Sequence, residues 1–429
     1  MKIEQIHTLF LSTSSVSIDT RKIEKNSFFV ALKGENFNAN TFAKEALEKG
    51  AKYVVIDEKD FYIDERTILV DNCLETLQNL ATFHRDYLKL PIIALTGSNG
   101  KTTTKELIFA VLSKKFKTKA TVGNLNNHIG VPLTLLSFDK ETEIGIVEMG
   151  ANHQKEIAFL CELAKPDYGY ITNFGKAHLE GFGGVEGVIK GKSELYDYLK
   201  VASKNVFVNI DDAIQNERTK SFVDRITFST NESNAFLYAN SVQANPFVNL
   251  RINSMQYTSN LIGMYNATNM LAAIAIGNYF GVSSDDCKDA IANYIPENNR
   301  SQIVHKNSNE IILDAYNANP SSMEVALKNF IQLDRSNKIV IIGDMFELGD
   351  ESLKEHKTIV DFLSSQTSIS QCFFVGQDFY KNKVDRINFE FYQTFESFKA
   401  DFILRKTENN LLLIKGSRGM ALERVMEFL

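Results

Sequence analysis

The residues best suited to chemistry lie in the run P-I-I-A-L-T-G-S-N-G-K-T-T-T-K at positions 91–105. Its apolar beginning predicts a buried strand, Gly97 and Gly100 predict a tight turn, and a helical pattern begins at Lys101. Glycines in such a turn let backbone N–H groups point inward at phosphate oxygens. Lys101 would reach the terminal phosphates of a nucleotide, and the Thr102 hydroxyl would bind their Mg²⁺. The run therefore predicts a phosphate-binding loop.

This loop is a shorter variant of the pattern G-x-x-x-x-G-K-[ST], because Leu95 stands where that pattern has its first glycine. The alternative is an ordinary glycine turn before a Lys-Thr pair, and the strand, turn and helix order favours the phosphate loop. The residues predicted to contact the nucleotide in this loop are Gly97, Ser98, Asn99, Gly100, Lys101, Thr102 and Thr103.

Three α/β domains are predicted around the loop, since 429 residues exceed what one core usually holds. Residues 1–88 show short strands and helices, and residues 89–297 predict a mostly parallel sheet with helices on both faces. Within the second domain, residues 225–261 predict a few antiparallel strands appended to that sheet. Residues 298–429 predict a Rossmann-like domain that ends in a helix over 420–428. Its first strand is not followed by G-x-G-x-x-G, so we do not expect this domain to bind a dinucleotide.

Composition limits the possible partners. The chain is 44% hydrophobic and 23% charged with a net charge of −6, which is typical of a globular protein and makes nucleic acid an unlikely partner. No stretch approaches the roughly 18 uninterrupted apolar residues of a membrane span. We therefore expect a cytoplasmic protein, with no membrane insertion and a monomeric state. Reduced thiols fit the four widely spaced cysteines, Cys73, Cys161, Cys287 and Cys372.

Polar side chains stand where predicted strands of the second domain end, the usual place for ligands in such sheets. Glu148 closes an apolar strand in V-E-M-G, where a carboxylate is costly unless it is paired or metal-bound. His178, in T-N-F-G-K-A-H-L-E-G-F, is a candidate second metal ligand, although a lone histidine is more often structural. Lys192 lies in the helical segment K-G-K-S-E-L-Y, which in isolation would be a solvated face. The segment G-N-L-N-N-H-I-G-V-P at 123–132 completes the set.

These segments, in this order, resemble the Mur ligase family of ATP-dependent amide-bond-forming enzymes of bacterial cell-wall synthesis. The matching motifs are T-G-S-N-G-K-T, G-N-x-N-N-x-I-G-V-P, E-M-G, N-F-G-x-A-H-L-E-G-F and the K-S-E helix. The segments L-D-A-Y-N-A-N-P-S-S-M at 313–323, I-I-G-D-M-F-E-L-G at 341–349 and I-K-G-S-R-G-M at 414–420 are similar to those of the dipeptide-adding members. The resemblance spans the chain and is weakest in the first fifteen residues and in residues 211–260.

The resemblance implies a reaction in which ATP phosphorylates the terminal carboxylate of UDP-N-acetylmuramoyl-tripeptide. The amine of D-alanyl-D-alanine then attacks the acyl phosphate, which gives the amide, ADP and phosphate. Lys101 and Arg300 would neutralise phosphate charge during this transfer. His178 and Lys192 complete the expected catalytic set, Lys192 as a carbamate formed with CO₂. Two Mg²⁺ ions are expected on Thr102, Glu148, His178 and Lys192.

The resemblance also implies nucleotide contacts outside the loop. Asn266 and Asp314 would contact the adenine and ribose of ATP, and Arg300 its phosphates. In the first domain, the strand and loop F-F-V-A-L-K-G-E-N-F are similar to those that help to hold the uridine nucleotide in this family. The expected uridine contacts are Asp19, Thr20, Arg21 and the loop to Asn38.

Contacts to the peptide substrates follow in the same way. Tyr316 stands where other Mur ligases have a lysine two residues after the aspartate, which is in keeping with the dipeptide-adding type. The incoming dipeptide carboxylate would meet Ser417 and Arg418, although an exposed arginine in a turn is the alternative there. The muramoyl peptide would meet Asn124, Asn126 and Asn127. The peptide or ATP would meet Tyr316, Asn317 and Asn319.

We also expect the third domain to swing onto the second when ATP binds, which excludes water from the acyl phosphate.

Other functions compete with this one. A sister Mur ligase that adds one amino acid and a folylpolyglutamate synthase share the architecture, and D-A-Y-N-A-N-P argues against both. A nucleotide-gated binding protein that has lost its chemistry would not need Lys101, Glu148, His178 and Lys192 together. A phosphotransferase that stops at the phosphorylated product would form ADP without an amine.

Overall fold

The computed structural model of the protein describes residues 1–297, 299–405 and 408–429. Asn298, the predicted first residue of the third domain, lies outside the described residues. The chain forms three α/β regions in sequence order, each with its own main sheet. The domain boundaries predicted after residues 88 and 297 stay predictions.

The first region has a four-stranded parallel sheet of order β1-β2-β5-β6 and a separate hairpin, β3-β4. Successive strand residues face opposite sides, so Phe28 and Val30 pack with α1 and α3 while Phe29 packs with α2. The strands are β1 Val16–Ser17, β2 Phe28–Val30, β3 Lys33–Gly34, β4 Phe37–Asn38, β5 Tyr53–Ile56 and β6 Thr67–Leu69. The helices are α1 Ile3–Phe10, α2 Ala43–Glu48 and α3 Cys73–Leu88.

The second region has a seven-stranded sheet of order β13-β12-β11-β10-β7-β9-β8, in which every pair is parallel. All five residues of β7 are buried because helices cover both faces. The strands of this sheet are β7 Ile92–Thr96, β8 Thr118–Ala120, β9 Ile144–Glu148, β10 Tyr168–Ile171, β11 Asn205–Asn209, β12 Arg225–Ser229 and β13 Leu237–Tyr238. The helices between them are α4 Lys101–Leu112, α5 Gly130–Leu136, α6 Glu156–Ala164, α7 Leu179–Phe182, α8 Val185–Val201 and α9 Ala213–Thr219.

Residues 225–262 differ from the sequence prediction of antiparallel strands appended to the main sheet. β12 and β13 extend that sheet in parallel, and the antiparallel strands form a separate sheet of order β14-β15-β16. These strands are β14 Ser241–Ala244, β15 Phe247–Ile252 and β16 Met255–Ile262, and the helices after them are α10 Tyr265–Tyr279 and α11 Ser284–Asn293. Because residues 270–276 of α10 are all apolar, this part of the helix is buried on all sides and packs against α4 and the antiparallel sheet.

The third region has a six-stranded sheet of order β17-β18-β22-β19-β20-β21, parallel except for β17. Residues 420–428 form short 3-10 turns, Arg418–Met420 and Leu422–Glu427, in place of the regular helix that the sequence predicts. The strands are β17 Gln302–Lys306, β18 Asn309–Asp314, β19 Lys338–Gly343, β20 Gln371–Val375, β21 Phe389–Tyr392 and β22 Leu411–Lys415. The helices are α12 Pro320–Gln332, α13 Ser352–Ser364, α14 Gln377–Lys381 and α15 Phe395–Phe402.

The second and third regions meet at the carboxyl ends of their strands. Residues that follow β7, β9 and β10 face residues that follow β18 and β22 across one cavity of about 1280 Å³. Ligands of parallel α/β sheets bind at this edge. Within the described residues, no helix combines the length and apolarity that crossing a membrane requires.

Candidate active site

The phosphate loop connects β7 to α4, as the sequence predicts. Gly97 has a φ of +143°, and a Cβ there would lie 2.0 Å from the Thr172 hydroxyl oxygen. Gly100 immediately precedes α4, so the free N–H groups of the first helical turn point into the cavity mouth. The turn therefore has the backbone that an anionic phosphate requires.

Lys101 begins α4 and lines the cavity. Its ammonium donates hydrogen bonds to the carbonyl oxygens of Gly97, at 2.7 Å, and Ser98, at 3.3 Å. Burial lowers the pKa of Lys101, Glu148 raises it, and Arg300 lowers it further. Lys101, Glu148 and Arg300, which are far apart in the sequence, are therefore close enough to interact electrostatically.

The loop is held by the segment that follows β10. The Asn99 backbone N–H donates to the Asn173 side-chain oxygen at 3.0 Å, and the Thr172 hydroxyl donates to the Asn99 carbonyl at 2.6 Å. The Ser98 hydroxyl donates to the Gly175 carbonyl at 2.9 Å. Asn173 was missed by sequence reasoning, because its position beside the loop depends on the pairing of β10 with β7.

Glu148 ends β9 and is 1% exposed. Its Oε1 accepts hydrogen bonds from the Asn126 amide, at 2.9 Å, and the Thr102 hydroxyl, at 3.3 Å. Its Oε2 has no hydrogen-bond partner among the described residues. A buried carboxylate oxygen beside a threonine hydroxyl suits a hard cation such as Mg²⁺. The predicted Thr102 and Glu148 pair therefore fits a metal ion.

The other two predicted metal ligands are His178, which lines the cavity, and Lys192, which does not. His178 lines the cavity, and its Nδ1 is paired with the carboxylate of Glu347 from the third region. No group of three or more His, Cys, Asp and Glu side chains suited to a metal is present in residues 1–297, 299–405 and 408–429. The second Mg²⁺ therefore stays a prediction, with His178 and Lys192 as its expected ligands.

Lys192 lies in α8, is 1% exposed and does not line the cavity itself. Its Nζ donates at 2.9 Å to the carbonyl of Ala151, which is a cavity residue, and lies 4.9 Å from the centre of the Phe182 ring. Burial lowers the pKa of Lys192 well below its usual value, and Lys101 acts in the same direction. Glu156 and Glu194 oppose this shift. A lowered pKa increases the neutral fraction of an amine, and the neutral amine is the form that reacts with CO₂.

The three nucleotide candidates outside the loop, Asn266, Arg300 and Asp314, all line the same cavity. The Arg300 guanidinium stacks 3.6 Å from the centre of the Tyr316 ring. Asp314 accepts hydrogen bonds from the Ser301 N–H, at 3.0 Å, and from Lys415 Nζ, at 2.6 Å. Lys415 is 2% exposed and was missed by sequence reasoning, since only the pairing of β18 with β22 places it beside Asp314.

The peptide-contact candidates of the third region divide into two groups. Tyr316, Asn317, Asn319 and Arg418 line the cavity, whereas Ser417 does not. The Ser417 hydroxyl is buried, donates to the Ala318 carbonyl at 3.2 Å and accepts from the Phe346 N–H at 2.9 Å. These two bonds direct the hydroxyl into the domain, and a contact between Ser417 and a dipeptide stays a prediction.

The three asparagines expected at the muramoyl peptide line the cavity together with Thr103. Asn126 donates its amide to Glu148, so its side chain orients a carboxylate. Asn127 accepts hydrogen bonds from the N–H groups of Gly130, at 2.8 Å, and Ile129, at 3.1 Å, at the start of α5. Asn124 is exposed at the cavity and no described residue holds its side chain in this way, so it is the most available of the three for a substrate.

The uridine candidates lie in the first region and do not line the cavity. Asp19 and Arg21 form an exposed ion pair at 2.8 Å, and this pairing lowers the pKa of Asp19 to about 2. Thr20 begins the short 3-10 turn between them. Asn38 donates to the carboxylate of Glu58 at 3.1 Å and accepts from the Asn40 N–H at 3.0 Å. These residues remain predicted uridine contacts.

The phosphate loop and the cleft that it shares with a second α/β domain define a phosphate-loop nucleotide-dependent protein whose ligands bind between domains. Residues 95–277 match the Mur ligase middle domain, and residues 299–418 match the Mur ligase, glutamate ligase domain. The chain belongs to the Mur ligase family.

Relatives support the same assignment over the full chain. The UDP-N-acetylmuramoyl-tripeptide--D-alanyl-D-alanine ligase of Bacillus subtilis is 34% identical, with 96% of this chain and 92% of that protein covered. The ligase of the same name from Escherichia coli is 31% identical, with 98% and 94% covered. The crystal structure of MurF from Acinetobacter baumannii is 28% identical, has a TM-score of 0.86 and covers 99% of this chain and 98% of that one. The three-domain α/β fold predicted from the sequence is thus confirmed.

Proposed function

We propose that this protein joins D-alanyl-D-alanine to the terminal carboxylate of UDP-N-acetylmuramoyl-tripeptide, with cleavage of ATP to ADP and phosphate, in peptidoglycan precursor synthesis. The observation that carries the proposal is the opposition of the phosphate loop and residues 314–319 across one cavity. Relatives that bear the name of this activity match the chain from end to end. The reaction would take place in the cytoplasm.

The first chemical step joins two anions, the γ-phosphate of ATP and the peptide carboxylate. A carboxylate oxygen attacks the γ-phosphorus and ADP leaves, which gives an acyl phosphate. Lys101 and Arg300 would offset the charge repulsion, together with the N–H groups of the phosphate loop. The position of Arg300 on the Tyr316 ring, at 3.6 Å, fixes its planar guanidinium at the cavity wall.

Mg²⁺ would bind Thr102 Oγ1 and Glu148, for which the unpartnered Glu148 Oε2 is the supporting observation. When bound, the ion would neutralise charge on the β- and γ-phosphates. Asn126 and the Thr102 hydroxyl both contact Glu148 Oε1, so Oε2 is the carboxylate oxygen that remains without a hydrogen-bond partner among the described residues. His178 and a carbamate of Lys192 would hold a second ion.

In the second step the dipeptide amine attacks the acyl carbon, loses a proton, and the amide forms as phosphate leaves. Arg418, exposed at the cavity wall 5.5 Å from the centre of the Tyr316 ring, would bind the dipeptide carboxylate. Asn124 would contact the muramoyl peptide, and Asp19, Thr20, Arg21 and Asn38 the uridine nucleotide. The third domain would close over the loop when ATP binds, which would keep water from the acyl phosphate.

One assay tests the proposal. Purified protein is supplied with ATP, Mg²⁺ and UDP-N-acetylmuramoyl-tripeptide, and ADP release is followed with and without D-alanyl-D-alanine. We expect ADP release and a ligated product only when the dipeptide is present. A product with a single amino acid or with a folate acceptor would overturn the proposal in favour of a related ligase. ADP release that does not need an amine would favour a phosphotransferase.

A further inference from the structure

Residues 173–176, which we term the bridging loop, lie between the phosphate loop and the third domain. On one side, the Asn173 side chain accepts from the Asn99 N–H at 3.0 Å and donates to the Asn99 carbonyl at 2.9 Å. The Gly175 carbonyl accepts from the Ser98 hydroxyl at 2.9 Å. A displacement of the phosphate loop would therefore move the bridging loop with it.

On its other side the bridging loop contacts the start of α12. The Lys176 backbone N–H donates to the Ser321 hydroxyl at 2.8 Å. A Cβ at Gly175 would lie 2.9 Å from the Asn99 side-chain nitrogen and 3.1 Å from the Ser321 hydroxyl oxygen. A larger residue at position 175 would therefore displace the Asn99 and Ser321 side chains. The bridging loop therefore forms a tight contact layer between the two domains.

An ion pair completes this layer. Lys176 Nζ lies 2.6 Å from Glu355 Oε1 on α13 of the third domain. The Glu355 side chain is only 7% exposed, whereas that of Lys176 is 49% exposed. A carboxylate buried to this extent is costly without a cation. Lys176 supplies this cation from the other domain, so the pair favours the closed arrangement only while both charges are present.

We propose that Lys176 and Glu355 are a positioning pair that locks the third domain onto the phosphate loop during the reaction. This inference rests on the proposed ligase function. With the lock in place, the acyl phosphate meets the dipeptide amine and not water. Loss of the Lys176 cation leaves a buried, uncompensated carboxylate in the closed form, which shifts the domains toward an open arrangement. Neither residue touches the reacting atoms.

The test compares Lys176→Met, Glu355→Gln, the double variant and Lys176→Arg by the ratio of ADP released to ligated product. We expect Lys176→Met to lower kcat about tenfold and to raise that ratio, with little change in the KM for ATP. The double variant should recover part of this loss, because no unpaired buried charge remains. Lys176→Arg keeps the cation and should stay close to the unmodified protein.

The matched control is Asp361→Asn, which removes an exposed ion pair with Lys357, at 2.7 Å, from the same helix. It should change neither kcat nor the ratio. An unchanged ratio in both Lys176→Met and Glu355→Gln would overturn the positioning role. Since Lys176 is half exposed, its variants test the inference even if Glu355→Gln does not fold. Absence of ligation by the unmodified protein would instead count against the proposed function, so the two failures are distinguishable.

Discussion

The side-chain amide of Asn319 donates a 2.7 Å hydrogen bond to the side-chain oxygen of Asn99. Asn99 belongs to the phosphate loop, whereas Asn319 caps α12 of the third domain, where its own oxygen accepts from the Ser322 N–H at 2.9 Å. One carboxamide thus stabilises the start of a helix and contacts the nucleotide loop of another domain. The phosphate loop and the third domain are therefore joined directly, in addition to the bridging loop.

Asn319→Asp separates these two roles, because aspartate keeps the acceptor for the helix cap but lacks the N–H donor that faces Asn99. We expect kcat for ligation to fall about tenfold, equivalent to about 1.4 kcal/mol, with an unchanged melting temperature. Asn319→Ala should also lose about 1 kcal/mol of folding stability with the cap. Kinetics and thermal unfolding of both variants check this. Full activity in Asn319→Asp would show that the contact with Asn99 has no role in turnover.

Asn126 was expected at the muramoyl peptide, and its amide instead orients Glu148 at 2.9 Å. Asn126→Ala should therefore raise the Mg²⁺ concentration for half-maximal activity about tenfold, as is typical when a residue that orients a metal ligand is removed. The matched control is Asn124→Ala, which should raise the KM for the muramoyl substrate and leave the Mg²⁺ dependence unchanged. If Asn126→Ala changed only that KM, the predicted contact with the muramoyl peptide would be supported and the role in orienting Glu148 would be refuted.

Lys192 should form a carbamate, because burial lowers the pKa of its amine well below the usual value. Incubation with ¹³C-labelled bicarbonate should give a carbamate NMR signal that is missing from Lys192→Ala. We expect Lys192→Ala to lose at least about a hundredfold in kcat, a size typical of removed electrostatic stabilisation. Lys192→Arg should not restore activity, since a guanidinium stays protonated. Full activity in Lys192→Ala, with or without bicarbonate, would refute the carbamate role.

Two buried histidines between α1 and α3 predict a pH-dependent stability. His84 Nε2 donates to the Phe138 carbonyl at 2.9 Å. In the neutral ring His84 Nδ1 therefore accepts from His7 Nε2 at 3.0 Å. Burial, and secondarily the nearby His84, lower the pKa of His7 to about 4. The folded pKa lies below the unfolded value, so stability is complete above about pH 6.5 and falls as the pH drops toward 4.

The expected loss attributable to His7 is about 2 kcal/mol of unfolding free energy between pH 7.5 and pH 5. Urea unfolding at both pH values measures it in the unmodified chain and in His7→Gln. The variant should lack this part of the pH dependence. The exposed His305 provides the control, since His305→Gln should leave the dependence intact. Equal pH dependence in His7→Gln and the unmodified chain would contradict the prediction.

The fold and the nucleotide loop could be predicted because their signals are local. A buried strand, a glycine turn and a helix occupy consecutive residues at 92–112, and the structure has them there. Residues 225–262 were harder, because strand length and alternation do not tell which sheet a short strand joins. The chain after Met420 was assigned a regular helix, but its residues form 3-10 turns packed on the third sheet.

The sequence by itself determined the order of elements, the phosphate loop and the carboxylate at the end of β9, since each depends on neighbours in the chain. The tertiary structure alone decided which side chains meet: Asn126 with Glu148, Lys415 with Asp314, and Lys176 with Glu355. Such pairs join residues 22 to 179 positions apart. Their contacts follow from the order of the strands and from the docking of two domains. Neither can be predicted from a local pattern of residues.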